Sequence, residues 1–315
     1  GNPNVPAPQE VEDSILETLK EEDSTFIHGY MSNSGYEDVR ETIAQDLNRR
    51  FGTKFGQGNI LMTVGAASGL NIILKTILDP EDEVMTFAPY FVEYGNYVRN
   101  YDGTLVVVSP NTVDFQPNLE EFAEKITART KAVIINTPNN PTGVIMERED
   151  LEKIAKIIIE KDLFVISDEI YSELTYAKED HVTIASLPGM KERTVLINGF
   201  SKAFAMTGWR LGYACAPEVI LKQMLKIHQY AIMCAPTTSQ YAAVSALKNG
   251  DPDVEMMRES YDQRRRFLMN AFQEMNLDCF EPQGAFYMFP SIKRFGMTSD
   301  EFATRFLREE KVAVV

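Results

Sequence analysis

Cysteine is scarce, three residues in 315, and Cys215, Cys234 and Cys279 stand apart in apolar surroundings without CxxC spacing. That pattern argues against a disulfide framework and a zinc cluster, so no metal centre is expected and a reducing cytoplasm is the expected compartment. Basic residues are outnumbered 31 to 46, for a formal net charge of -15. Nucleic acids are held mainly through basic patches, so none is expected as a partner. No apolar run approaches the roughly 18 residues of a membrane span, and no signal-peptide pattern opens the chain, so no membrane partner is expected either. Internal repeats and low-complexity segments are also lacking.

What is present is an ordinary globular composition, 44% hydrophobic and 24% charged, in a chain long enough for a large domain with a smaller companion. The first residue is Gly1 and the last five, KVAVV, read as a strand just begun, so both ends are expected to be cut. Strand and helix signals alternate between them. Short apolar runs lie at Ile60 to Thr63, Glu83 to Phe87, Leu105 to Val108, Ala132 to Ile135, Leu163 to Ser167 and Thr194 to Ile197. Helices are expected over Gln9 to Glu22, Tyr36 to Arg50, Leu70 to Leu78, Leu119 to Ile126, Arg148 to Lys161, Pro217 to Tyr230, Pro236 to Lys248 and Ser299 to Glu310. One long helix, Asp253 to Met275, is able to bridge two domains, with Arg264-Arg265-Arg266 as a solvated face. Leu277 to Phe280 and Ala285 to Phe289 read as strands. This alternation points to an α/β fold with a mainly parallel sheet.

Chemically distinctive residues gather where the runs end. After Thr194 to Ile197 come Asn198-Gly199, then Lys202 and Arg210 in a stretch otherwise poor in charge. Desolvation lowers a lysine's pKa, and a neutral amine forms Schiff bases with carbonyl compounds, the aldehyde of pyridoxal phosphate among them. Arg210 offers the planar charged fork that a phosphate prefers. Gly65, Ala66 and Ala67 stand at a turn into an apolar helix, where small residues let backbone N–H groups point at an anion with the helix dipole behind them, or simply form a tight turn. Asn136 to Gly143 sets two prolines and rigid polar groups just after a buried strand, at the sheet edge where open α/β sheets bind ligands. Asp168, after another such strand, needs a cationic partner, and a protonated pyridine nitrogen is one. Phe91 supplies a face for ring stacking. On the residues alone, Lys202 also suits a strand cap, Arg210 a structural ion pair, Asp168 a helix N-cap, Phe91 a core position and Tyr30 a surface loop.

Together these strings resemble a known family. S-K-x-F-x-M-x-G-W-R-x-G-Y, from Ser201 to Tyr213, is similar to the cofactor-lysine segment of the pyridoxal-phosphate-dependent aminotransferases of classes I and II, within the aspartate aminotransferase superfamily. The likeness covers essentially the whole chain. Gly1-Asn2-Pro3 is similar to the family's G-x-P, Tyr30 with Gly35 and Arg40 to Y-x4-G-x4-R, and Pro89 to Tyr94 to P-Y-[WF]-x-x-Y. Asn136 to Gly143 resembles N-x-P-x-N-P-T-G, Asp168 to Tyr171 the family's ring-nitrogen segment, and Pro282 to Tyr287 its P-x-G-x-F-Y.

The resemblance implies a type I pyridoxal-phosphate fold working as a homodimer, with a large domain over residues 24–250 and a smaller α+β domain from residues 1–23 and 251–315. It implies Lys202 as the Schiff-base lysine and proton carrier, Asp168 on the ring nitrogen, and Tyr171 and Asn140 on the phenolic oxygen. Phe91 lies on the ring face, Gly65, Ala66, Ala67 and Arg210 surround the phosphate, and Ser201, adjacent to the lysine, is a further cofactor-binding residue. Tyr30 reaches the phosphate of the neighbouring subunit. One position departs: many relatives carry a phosphate-binding serine three residues before the lysine, and here that residue is Gly199. The arginine that binds the substrate α-carboxylate lies, in relatives, beyond the point where this chain stops. The implied activity is transamination between an L-amino acid and a 2-oxo acid. The fold also hosts carbon–sulfur β-lyases and non-catalytic cofactor-binding sensors, and aspartate, alanine and aromatic amino acids all stay open as substrates.

Overall fold

Continuous apolar runs such as Ala132-Val133-Ile134-Ile135 are stable as strands only when both faces of the sheet are covered. In the computed structural model, which describes residues 1–21, 23–111, 113–176 and 181–314, such runs form one sheet. Its strands are β1 (Ile60–Thr63), β2 (Glu83–Phe87), β3 (Thr104–Val108), β4 (Thr130–Asn136), β5 (Phe164–Asp168), β6 (Thr194–Gly199) and β7 (Gly212–Cys215). The order across it is β1-β7-β6-β5-β4-β2-β3. β7 runs antiparallel to β1 and β6, and the other neighbours pair in parallel.

The helices are α1 (Gln9–Glu21), α2 (Ser24–Ile27), α3 (Glu37–Phe51), α4 (Ala66–Ile77), α5 (Glu93–Arg99), α6 (Leu119–Glu124), α7 (Arg148–Glu160), α8 (Phe200–Ala203), α9 (Glu218–Ala231), α10 (Thr237–Asn249), α11 (Asp251–Glu274) and α12 (Ser299–Glu310). Successive side chains of a strand point to opposite faces, and the core divides accordingly. Leu61, Val84, Ala132, Ile134, Ile166, Val195 and Ile197 pack against α4, α5 and α9. Their neighbours Met85, Val133, Ile135 and Val165 pack against α6 and α7, and Ile60, Met62 and Leu196 against α1, α3 and α10. A fourth cluster joins Tyr171 and Leu174, which follow β5, to Met257 and Tyr261 of α11 and to Ala285, with Val5 packed on it.

Several expectations need correction. The helix expected from Leu70 begins at Ala66, because Gly65 at φ 79° turns the chain within one residue. Ala66 and Ala67 therefore belong to its first turn. β7 has no counterpart in the expected strands. Leu277 to Phe280 and Ala285 to Phe289 are not strands: one bridge joins Cys279 to Pro290, while the N–H groups of Gln283 and Gly284 bond to Gly143 O and that of Ala285 to Leu174 O. Backbone groups taken by loops elsewhere are not free to build a ladder. Residues 311–314 form no strand either, with Lys311 left-handed at φ 60°, and Val315 and Glu22 lie outside the described residues. Arg265 is not solvated; its guanidinium meets Asp262 at 2.7 Å and Glu281 at 2.6 Å, with 14% of the side chain exposed.

Candidate active site

The carboxyl ends of β1, β2, β4, β5 and β6 and the entry to β7 lie along one edge of the sheet, and each carries a candidate residue. At the β1 end, no side chain caps α4, so its first N–H groups are left for another acceptor. Three glycines bring the surrounding backbone together. A Cβ on Gly65 would stand 2.7 Å from Arg210 Nη2, and one on Gly212 would stand 2.8 Å from Gly65 C and 2.9 Å from Ala66 N. The Arg210 guanidinium is thereby laid over Gly65 at the N-terminus of α4, and its Nη1 donates to Thr207 O at 2.9 Å. This is an anion cradle: a fixed cation beside uncapped amides. A Cβ on Gly199 would stand 2.8 Å from Gly212 Cα, which accounts for the missing serine in steric terms.

Lys202 sits on α8, directly after β6. It is half-buried, 6.0 Å from the centroid of the Tyr171 ring and 5.6 Å from that of Phe286, and its Nζ donates to Gly1 O. Burial lowers its pKa first and the Arg210 charge adds to the lowering, against an opposing pull from Asp168. The G-x-P segment thus lies beside the Lys202 amine.

Asp168 ends β5 with its side chain buried. Its Oδ2 accepts from the Tyr94 hydroxyl at 2.7 Å, and its Oδ1 receives only a long 3.4 Å contact from Ile170 N. Burial pushes the carboxyl up to about 6, opposed by those hydrogen bonds and by Lys202. The next acid, Glu169, is fully buried but committed elsewhere, accepting from Ser167 at 2.7 Å and Thr183 at 2.6 Å and meeting His181 Nε2 at 2.8 Å. Of the two, Asp168 alone has an oxygen to spare.

Two adjacent asparagines divide in the same way. Asn139 is spent on its own loop, accepting from the Thr142 hydroxyl at 2.8 Å and donating to Pro89 O at 3.2 Å. Asn140 is half-buried and its backbone N–H is held by Asn136 Oδ1 at 2.8 Å, while Asn136 Nδ2 donates to Asp168 O at 2.9 Å. The Asn140 amide makes no hydrogen bond among the described residues. Tyr171 is buried and shares a 2.6 Å hydrogen bond with the Tyr287 hydroxyl; burial, then Tyr287, raises its pKa. Phe91 meets Tyr94 edge-on at 5.6 Å. Ser201 is buried beside the lysine without a side-chain hydrogen bond among the described residues.

Tyr30 is not brought to the others within the chain; it stands 88% exposed after α2. Sequence reasoning also missed Tyr94, Asn136 and Tyr287 as members of the site. Each lies in a string already singled out, Tyr94 closing P-Y-F-x-x-Y, Asn136 opening N-x-P-x-N-P-T-G and Tyr287 closing P-x-G-x-F-Y.

A buried acid with one weakly bonded oxygen suits a cationic donor, a half-buried amine suits an aldehyde, and the cradle suits a dianion. Pyridoxal phosphate satisfies all three in one molecule, and the class so defined is that of pyridoxal-phosphate enzymes with the type I fold. Within it, the chain belongs to the aminotransferases of class I and II, whose family model matches residues 1–315. It is 48% identical over 289 residues to the putative aminotransferase YugH of Bacillus subtilis, covering 91% of this chain and 74% of that protein. It is 41% identical to the aspartate aminotransferase of Pyrococcus abyssi over 100% of this chain and 81% of that one. The crystal structure of the aromatic aminotransferase from Pyrococcus horikoshii superposes with a TM-score of 0.96 at 40% identity, covering 100% of this chain and 84% of its own. The protein is a pyridoxal-phosphate-dependent transaminase.

Proposed function

We infer that transamination in this protein runs on Lys202, with Asp168 and Tyr171 as its working partners. The observation that carries the reading is the meeting, at one sheet edge, of an amine whose pKa is lowered by burial and a buried carboxyl with one free oxygen. When bound, pyridoxal phosphate supplies an aldehyde that condenses with amines and a protonated ring that draws electrons from the substrate's Cα. Lys202 Nζ holds the cofactor until an amino acid takes its place. Once freed, that amine would take up the proton of the substrate's Cα and deliver it to the cofactor's C4′. Its lowered pKa serves this step, because only the neutral amine accepts a proton.

Asp168 would keep the ring nitrogen protonated, Tyr171 and Asn140 would orient the phenolic oxygen, and Phe91 would cover one face. Gly65, Ala66, Ala67 and Arg210 would receive the phosphate, with Ser201 beside the lysine. A hydrogen bond to a charged group contributes roughly 1.5 to 3 kcal/mol, against about 0.3 to 1 for the helix dipole, so Arg210 matters more than the end of α4. Relatives named for aspartate and for aromatic amino acids suggest both as donors, with a 2-oxo acid as acceptor.

The working unit is a homodimer in which Tyr30 reaches the neighbouring site, a reading supported by the exposure of Tyr30 and Tyr230, 88% and 87%. The division into a large domain over residues 24–250 and a small one from residues 1–23 and 251–315 is supported by the cluster of Val5 with Tyr261 and Phe286, although α1 packs on α10. The free thiols of Cys215, Cys234 and Cys279 support a cytoplasmic location. No helix among the described residues is long and apolar enough to cross a membrane.

Borohydride reduction of the holoenzyme followed by peptide mapping tests the core of this reading. The cofactor label is expected on Lys202 and is lost in Lys202→Ala. Adding aspartate or phenylalanine without an acceptor should convert the cofactor to its amine form and release one 2-oxo acid per site. Label on another lysine, or continuous release of ammonia, overturns it.

A further inference from the structure

The acid that faces the ring nitrogen is itself held by a residue outside the expected site. Tyr94 is fully buried on α5, its hydroxyl 2.7 Å from Asp168 Oδ2. We propose that Tyr94 is a positioning residue for the cofactor: by occupying Oδ2 it fixes the carboxylate plane, presents Oδ1 to the pyridine nitrogen, and sets how strongly Asp168 competes for the ring proton. The inference rests on Asp168 being the ring-nitrogen partner.

Three observations carry it. The two oxygens are unequally satisfied, one by a short hydroxyl bond and one by a 3.4 Å amide contact, so the vacancy for an N–H donor is on Oδ1. Tyr94 has no access to water and no other acceptor among the described residues, so its hydroxyl is committed to Asp168. Phe91 packs edge-on against the Tyr94 ring at 5.6 Å and 85°, which ties the residue assigned to the ring face to the one holding the acid.

Charged and titratable groups around Asp168 are Tyr94 and Tyr97 from α5, Glu169 and Tyr171 from its own segment, Lys202 from α8, and Tyr287 from the C-terminal segment. Among them, Tyr94 and Lys202 favour the carboxylate, whereas Glu169 and burial oppose it. Withdrawing the Tyr94 hydroxyl makes Asp168 a stronger base. The proton shared between carboxylate and pyridine nitrogen then moves toward the carboxylate, and the ring draws electrons less well.

The test uses holoenzyme reconstituted with pyridoxal phosphate labelled with 15N in the ring. In Tyr94→Phe the ring 15N signal is expected to move toward that of a neutral pyridine, and cofactor affinity to fall roughly tenfold, because a carboxyl that must be ionised to hold the pyridinium then keeps its own proton more readily. In an Asp168→Asn background the same change should alter affinity less than about twofold, since the charge through which Tyr94 acts is gone. Site-specific 3-fluorotyrosine at position 94 guards against misfolding of the phenylalanine variant. It nearly preserves the shape, donates more strongly, and should move the 15N signal the opposite way. Equal losses of affinity in both backgrounds, or a 15N signal insensitive to both substitutions at 94, overturn the inference while leaving Asp168 in place. An Asp168→Asn enzyme with unchanged 15N signal and affinity overturns the Asp168 assignment and this inference with it.

Discussion

Asp168 is a carboxylate placed where a protein without its cofactor would rather have a neutral group. Its pKa is raised from the unfolded value of 3.8 to about 6 by burial. The sign follows from the folded state holding its proton to higher pH than the unfolded chain does. Between those two values the contribution of Asp168 to stability falls as pH rises, and above both its ionised form costs about 3 kcal/mol. Apo Asp168→Asn keeps an acceptor for Tyr94 and carries no charge. Urea unfolding of the apoprotein is therefore expected to show the variant more stable than the parent by up to about 3 kcal/mol at pH 8, with the gap closing near pH 4. Cofactor affinity at pH 8 should move the opposite way, since the pyridinium loses its counter-charge. A stability gap that does not change with pH would sink this account. Lys202 was legible because it follows an apolar run in a stretch poor in charge, and Asp168 because it is an acid at the end of a buried apolar run. Tyr94 was not, because an aromatic three residues beyond Phe91 reads as core packing, and nothing local shows that its hydroxyl meets a carboxylate 74 residues further on.

At the scale of elements, the site depends on how closely β6, β7 and the start of α4 approach. Gly199 and Gly212 face each other across the β6–β7 ladder, and Gly212 in turn backs on the Gly65–Ala66 peptide. Strands and the uncapped helix end are thus stacked through three backbones with no side chain between them. Restoring the serine that many relatives carry at this position should not restore a phosphate contact here. In Gly199→Ser the new Cβ lies 2.8 Å from Gly212 Cα and 2.9 Å from Leu211 O, and backbone atoms do not rotate aside. Overpacking of this kind costs about 1 to 3 kcal/mol, and the displaced Gly212 would carry the cradle with it. Thermal or urea unfolding is expected to show that loss, and fluorescence titration a weaker affinity for pyridoxal phosphate; tighter binding with unchanged stability would show that the hydroxyl fits. β7 escaped sequence reading for the same reason. Gly212-Tyr213-Ala214-Cys215 is short and holds small residues where close approach requires them, so it lacks the β-branched run that marked β4 and β6. The expected strands near residues 277–289 erred in the other direction: the apolar content of Ala285 to Tyr287 is real, but it packs on α11 and the loop after β5 while the Ala285 amide bonds to Leu174 O, and the Leu277 amide bonds back to Phe272 O.

For the molecule as a whole, the position of Tyr30 decides how many chains make one site. A tyrosine 88% exposed on a loop just before α3 has no stabilising task in the isolated chain, and it makes no hydrogen bond or ring contact with the candidate residues among the described ones. In a two-fold dimer the same patch meets its own copy, so a residue projecting from one subunit reaches a site on the other, and the converse holds. Subunit mixing separates this arrangement from a loop that simply folds back. Tyr30→Phe should weaken cofactor affinity about tenfold through loss of a bond to phosphate, leaving it poorly active when the cofactor is scarce, and Lys202→Ala should be inactive throughout. When the two are dissociated and reassociated together, a mixed dimer holds one site with both lesions and one with neither. If Tyr30 acts across the interface, activity at scarce cofactor should therefore return, to at most about a quarter of the parent's when half of the dimers are mixed. If it acts within its own chain, every site in the mixed dimer carries one lesion, and mixing restores nothing.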